Sequence, residues 1–260
     1  MLHRELNAIE EWFWQYAGAF SFDDPAHRAN IELKLRHTRR VASNMDELSA
    51  RAAPDRDPLL ARAIAVLHDV GRFPQYHRYR TFRDAGSVNH GELGAEVMAG
   101  SGVLKGIAAH EARIILECLR YHNAFSLPRS GVTERTYLML LRDADKLDIW
   151  RVFADNHELP RGERASALGQ GLDEAGTCSA QAVERLSLGR VVPASMLKTH
   201  NDMKLMQLSW AYDLNFPASC SMALAKGDLM RIASSLPPAT ETEEAVERAF
   251  MHLRQRGEKA

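Results

Sequence analysis

The sequence predicts an all-α protein. Apolar residues recur at three- and four-residue steps along most of the chain, and no strand pair or Asn-Gly hairpin signal interrupts them. Hydrophobic content of 45% with 26% charged residues allows a packed helical core and excludes wholesale disorder.

The first clear helix runs from Pro25 to about Ala50, with Ile31, Leu35, Thr38, Ala42, Met45 and Leu48 on one face. Asp24 before Pro25 supplies an N-cap followed by proline at the first helical position. The turn-rich piece Ala53-Pro54-Asp55-Arg56-Asp57-Pro58 ends it and opens LLARAIAVLHDV, a run apolar almost all round and therefore a central helix, which Gly71 stops. Residues 72–88 are basic, aromatic and weakly periodic, and read as a loop. A helix restarts near Asn89, another spans Leu104 to Tyr121, and a third opens at Thr133 as its cap and continues through LMLLRDADKLDIW. Residues 156–195, rich in Gly, Ser, Ala and Glu, read as a lid-like excursion; helical segments return from Ser195, and the charged tail frays. We read the whole as a single all-α domain over 1–260, its core at 25–155. Residues 156–260 then pack on that core, covering the site or forming the surface of a homo-oligomer.

Thirty-three Lys and Arg against thirty-four Asp and Glu leave a net charge of -1, which excludes a global basic surface for long nucleic acid or an anionic membrane. No stretch reaches the roughly 18 apolar residues of a membrane span, and the N-terminal segment carries acids inside its apolar pattern, unlike a secretory signal. Cys118, Cys178 and Cys220 form neither a disulfide framework nor a Cys-x-x-Cys zinc site, which points to a reducing cytoplasm.

Four of the eleven histidines, His37, His68, His90 and His122, form an ordered set, with His77 a loop neighbour. His68-Asp69 end the buried helix, where a carboxylate needs compensation by a divalent cation or, if the pair merely caps the helix, by an arginine. His37 lies near the inner edge of the first long helix. His122 extends the stripe of Ile115 and Cys118/Leu119, and His90 opens a helix at a loop junction. Asp145 shares a stripe with Leu138, Leu141 and Asp148, whereas Asp143 points away from it. His and Asp are ligands for Mn, Fe, Zn, Ni or Mg, and six of them suffice for two ions sharing a carboxylate. Water between two such ions becomes a hydroxide nucleophile.

The order His37, His68-Asp69, His90, His122 and the Asp of Ala144-Asp145-Lys146-Leu147-Asp148 resembles the HD-domain superfamily of metal-dependent phosphohydrolases, and His-Asp-Val-Gly-Arg resembles its His-Asp-Ile-Gly-Lys run. The resemblance covers residues 25–155. It implies about five helices around a metal site, with His37, His68, Asp69 and Asp145 as primary ligands, Asp69 bridging if two ions bind, and His90 and His122 as the extra ligands of dinuclear members. The motif alone leaves Asp143 and Asp145 open, and the helical face favours Asp145. Arg72 departs from the lysine of many relatives, keeping the charge but changing the geometry.

Substrate residues are sought in the same basic segment, where Arg72, His77, Arg78, Arg80 and Arg83 interleave with Phe73, Tyr76, Tyr79 and Phe82. Arg72, Arg80 and Arg83 suit phosphate oxygens, Tyr76 suits stacking on a base, and Lys146 stands beside Asp145; the competing reading is a solvated basic loop. The expected activity is a phosphohydrolase using metal-bound hydroxide on a small phosphorylated substrate such as a nucleotide, with Asp69 and Arg72 catalytic and one or two divalent ions as cofactor. The rival readings are a di-iron oxygenase of the same fold and a non-catalytic nucleotide-sensing module. His110 reads as a boundary residue, and His3, His27, His157, His200 and His252 as surface or capping groups.

Overall fold

Short-range signals in the chain set its helices, and the computed structural model describes them over residues 1–160, 163–168, 172–173 and 176–259. Twelve α-helices are found among these residues and no β-strand. Two compact units divide the chain: residues 1–145 with 165–167, and residues 146–164 with 168–260.

The first unit holds α1 (His3–Gly18), α2 (Pro25–Ala52), α3 (Pro58–Leu67), α4 (Arg72–Tyr79), α5 (His90–Ser101), α6 (Ala109–Tyr121) and the first half of α7 (Arg135–Glu158). Its starts follow capping chemistry. Asp24 Oδ1 accepts from Ala26 N at 2.7 Å, Asp57 Oδ1 from Leu59 N at 2.8 Å, and Asn89 Oδ1 from Gly91 N at 2.9 Å. α3 is apolar nearly all round because it lies in the middle, between α2 and α1 and against α6. α1, with Leu6, Ile9, Phe13 and Ala17 buried at helical spacing, covers a further side of α3.

Three local expectations change. Residues 72–88 are not wholly loop: α4 forms there because Phe73 and Tyr76 bury on one face, and it ends where Arg80 adopts a left-handed φ of 56°. α6 begins at Ala109, a 3₁₀ turn (Val103–Gly106) preceding it, so that Leu104 and Ile107 lie ahead of the helix. Thr133 is no simple cap, because its hydroxyl donates to Glu117 Oε1 at 3.0 Å while its N–H donates to Glu117 Oε2.

One close approach brings the site together. A Cβ on Gly71 would meet His90 O at 2.2 Å and Gly94 N at 2.6 Å, so glycine alone lets the His-Asp turn touch the start of α5.

The second unit holds the rest of α7 with α8 (Ala180–Ser187), α9 (His200–Ser209), α10 (Pro217–Lys226), α11 (Asp228–Ser234) and α12 (Thr240–Gly257). α8 falls inside the segment expected as an excursion, with Ala182, Val183 and Leu186 buried. Trp150, Leu205, Leu208, Ile232, Ala249 and Leu253 belong to this unit's own core, and Trp150 Nε1 donates to Gln207 O at 3.0 Å. Of the excursion, residues 161–162, 169–171 and 174–175 lie outside the described residues.

Candidate metal centre

The six residues singled out as ligands meet in the first unit. His68 and Asp69 follow the end of α3; α2 contributes His37, the start of α5 His90, the end of α6 His122, and α7 Asp145. His37, His68, Asp69, His90 and His122 are all buried. His37, His68 and Asp69 bring ligand atoms within 4.8 Å of one another, and so do Asp69, His90 and His122.

Asp69 joins the two sets. Its Oδ2 lies 3.5 Å from both His37 Nε2 and His68 Nε2, and its Oδ1 lies 3.4 Å from His90 Nε2 and 3.9 Å from His122 Nε2. Asp145 Oδ1 stands on the first side, 3.1 Å from His37 Nε2 and 3.7 Å from His68 Nε2. Asp145 is thus the aspartate of α7 whose carboxylate lies beside His37 and His68, while Asp143, expected to point away from the inward stripe, is fully buried.

Hydrogen bonds on the far side of the rings fix the tautomers. His68 Nδ1 lies 2.7 Å from Ala65 O, His122 Nδ1 2.7 Å from Leu119 O, and His90 Nδ1 2.7 Å from Asp84 Oδ2. Ala65 O, Leu119 O and Asp84 Oδ2 can only accept, so each Nδ1 carries a proton and Nε2 is the nitrogen turned inward. His90 Nε2 and His122 Nε2 face each other at 3.0 Å, and His37 Nε2 and His68 Nε2 at 3.3 Å. Imidazole nitrogens converging on two largely buried carboxylates are stabilised by a cation among them, and His with Asp is the donor set of a divalent transition ion. The residues fit such an ion.

The electrostatics agree. Burial works against the charged form of Asp69, but the Lys34 ammonium outweighs it and holds this carboxyl well below the usual range. Burial, with Arg72 nearby, pushes His90 down to about 3, so its ring is neutral and able to ligate at neutral pH.

Residues 35–150 match the model of the HD domain. This segment is an HD domain. No curated protein and no solved structure matched the chain. The match runs from Leu35 within α2 to Trp150 within α7, carries all six ligand-type residues, and ends five residues past Asp145, where the main run of the first compact unit stops.

The residues assigned to substrate are placed less uniformly. The Arg72 guanidinium reaches Gln75 Oε1 (2.9 Å), Phe82 O (2.6 Å) and Asp84 Oδ1 (2.9 Å), with Nε 3.5 Å from Asp69 Oδ1. Tyr76 is only 1% exposed, its hydroxyl accepting from Asn30 Nδ2 at 2.8 Å and lying 2.9 Å from His27 Nδ1, so it offers no free face for a base to stack on. Arg80 lies exposed over the Phe22 ring and donates to the carbonyls of Tyr76 and His77, while Arg83 is exposed. Lys146 belongs to the second unit and pairs with Asp213 at 2.7 Å. His110 is exposed.

Three site residues escaped the sequence reading. Lys34 Nζ donates to Asp69 Oδ2 at 2.6 Å. Its position three residues before His37 puts both on one face of α2, a signal that was available. Asp84 and Asn123 meet His90 from loop and helix-end positions, where no periodicity marks them.

Proposed function

We propose that this chain is a metal-dependent phosphohydrolase acting on a small phosphorylated substrate, a nucleotide or related phosphometabolite, in a reducing cytoplasm. The observation that supports it most is the pair of inward Nε2 atoms of His90 and His122 at 3.0 Å, set against one oxygen of Asp69 whose other oxygen faces His37 and His68. His37, His68, Asp69 and Asp145 would hold one divalent ion, and Asp69, His90 and His122 a second. Ions bound there would supply Lewis acidity toward phosphoryl oxygens and lower the pKa of water to near neutrality.

The chain's own residues do the rest. Buried imidazoles and carboxylates keep bulk water from competing at the cluster. Lys34, 13% exposed at its side chain and within reach of Asp69, is the cation placed to take a phosphate oxygen from solvent. Arg80 and Arg83 would add positive potential from the exposed side of the same segment.

The test is phosphate release. Protein purified without added metal is analysed for bound ions, then assayed on a broad panel of phosphomonoesters and nucleotides beside Asp69→Asn. Turnover in the native chain and none in the variant is expected; equal phosphate release from both would end this reading. Four imidazoles with two carboxylates also suit iron, so oxygen consumption by the iron-loaded protein with candidate polyols or phosphonates, and no phosphate release, would favour the oxygenase reading.

A further inference from the structure

The two halves of the cluster are held by different means. His68 and His122 each bond through Nδ1 to a carbonyl three residues back, so their own helix ends orient them. His90 is the first residue of α5 and is oriented instead by a side chain from the preceding segment, Asp84, whose Oδ2 and Oδ1 lie 2.7 and 3.0 Å from His90 Nδ1.

Asp84 is itself gripped from three sides. Its Oδ1 accepts from Arg72 Nη1 and Gln75 Nε2, and its Oδ2 from Asn123 Nδ2, each at 2.9 Å. Those donors are anchored in turn: Gln75 Nε2 reaches Val88 O at 2.9 Å, and Asn123 Nδ2 reaches Asn89 Oδ1 at 3.0 Å. Arg72 also binds Phe82 O. The carboxylate thus ties the helix after the His-Asp turn, the 82–89 segment and the end of α6 to one imidazole.

We infer that Asp84 is the positioning residue for the His90–His122 half of the centre, and that Arg72 serves to hold Asp84 rather than a substrate phosphate. This rests on the metal reading above. A neutral imidazole carries one ring proton, and a carboxylate can only accept, so Asp84 draws that proton to Nδ1 and leaves Nε2 open toward Asp69 Oδ1 and His122. Without Asp84 the ring is free to carry the proton on Nε2, where it blocks ligation, or to rotate away from Asp69. Asp84 reaches His90, Arg72, Gln75 and Asn123, and the His37–His68–Asp145 half is expected to keep its ion without it.

The experiment compares the full-length wild type, Asp84→Ala and Asp84→Asn in two readouts. Titration of ion-free protein with manganese(II) is expected to give two equivalents in the wild type. Asp84→Ala should keep one at an affinity within about twofold and weaken the other about 10–100-fold. Asp84→Asn, which retains an acceptor oxygen for His90 Nδ1, should fall between. Ring ¹⁵N shifts in the ion-free proteins should show His90 protonated on Nδ1 in the wild type and Asp84→Asn, and shifted toward Nε2 in Asp84→Ala. The proposal is overturned if Asp84→Ala leaves the His90 tautomer unchanged, or if both equivalents weaken together as a general loss of structure would make them. A wild type that binds one ion removes the second half from the proposal; one that binds none refutes the metal reading, and the tautomer comparison still decides what Asp84 does. Should Asp84→Ala not fold, Asn123→Ala removes a single donor to Oδ2 and must move the same readouts by less; no movement counts against Asp84.

Discussion

Lys34 Nζ lies 2.6 Å from Asp69 Oδ2, the carboxylate oxygen that also faces His37 and His68. The ammonium compensates a buried charge at the place where a divalent ion would also compensate it. Removing one partner of a buried pair strands the other and costs about 3 kcal/mol. Lys34→Met should therefore lower the melting temperature of the chelator-treated protein, and saturating manganese should restore most of the loss. An equal loss with and without manganese would show that the ion does not share Asp69 with Lys34.

Asp69 has ligand atoms in both candidate groups, so its replacement should differ in kind from that of His37 or His122. Asp69→Asn should abolish high-affinity binding of both ions, whereas His37→Gln and His122→Gln should each remove one. Metal content after desalting checks this, and loss of both equivalents in His122→Gln would contradict the bridging geometry.

Gly71 carries a steric prediction that does not depend on chemistry. A methyl group there would press on His90 O and Gly94 N, both backbone atoms that cannot swing aside. Gly71→Ala should destabilise the first unit by about 3 kcal/mol, at the upper end of overpacking costs, and displace His90 from Asp69. Denaturant unfolding together with metal stoichiometry measures both effects.

His157 gives a pH signature. Burial, aided by Lys204 and Arg164, pushes its ring down to about 4. Unfolding returns it to about 6.5, so between these values the unfolded chain binds more protons and acid favours unfolding. Stability should fall as pH drops from about 6.5 toward 4, and His157→Gln should flatten that slope. A melting-temperature profile identical to wild type across this window would refute it. The sequence reading places His157 among surface or capping residues, whereas its Nε2 is buried; the packing around the end of α7 is not visible in a lone histidine.

How much was legible follows from the range of each signal. The helices were readable because periodicity, Asp24-Pro25 and the Asn89 cap act within a few residues. α4 was not, because eight residues hold too few turns for Phe73 and Tyr76 to mark a stripe. The six ligand-type residues were legible by type and order, but the face of α7 does not separate Asp145 from Asp143, since Asp143 is itself buried.

The sequence by itself determined an all-α chain whose His37, His68, Asp69, His90, His122 and Asp145 stand in the order of an HD domain. Tertiary structure alone decided which oxygen of Asp69 faces which histidines, that Lys34 and Asp84 belong to the site, that Arg72 is turned onto Asp84, and that Tyr76 is buried. Helical period and capping are properties of neighbouring residues, and a linear pattern carries them. A carboxylate meeting an imidazole from another segment depends on how close two backbones come, and here that distance is set by a glycine, Gly71, seated against His90.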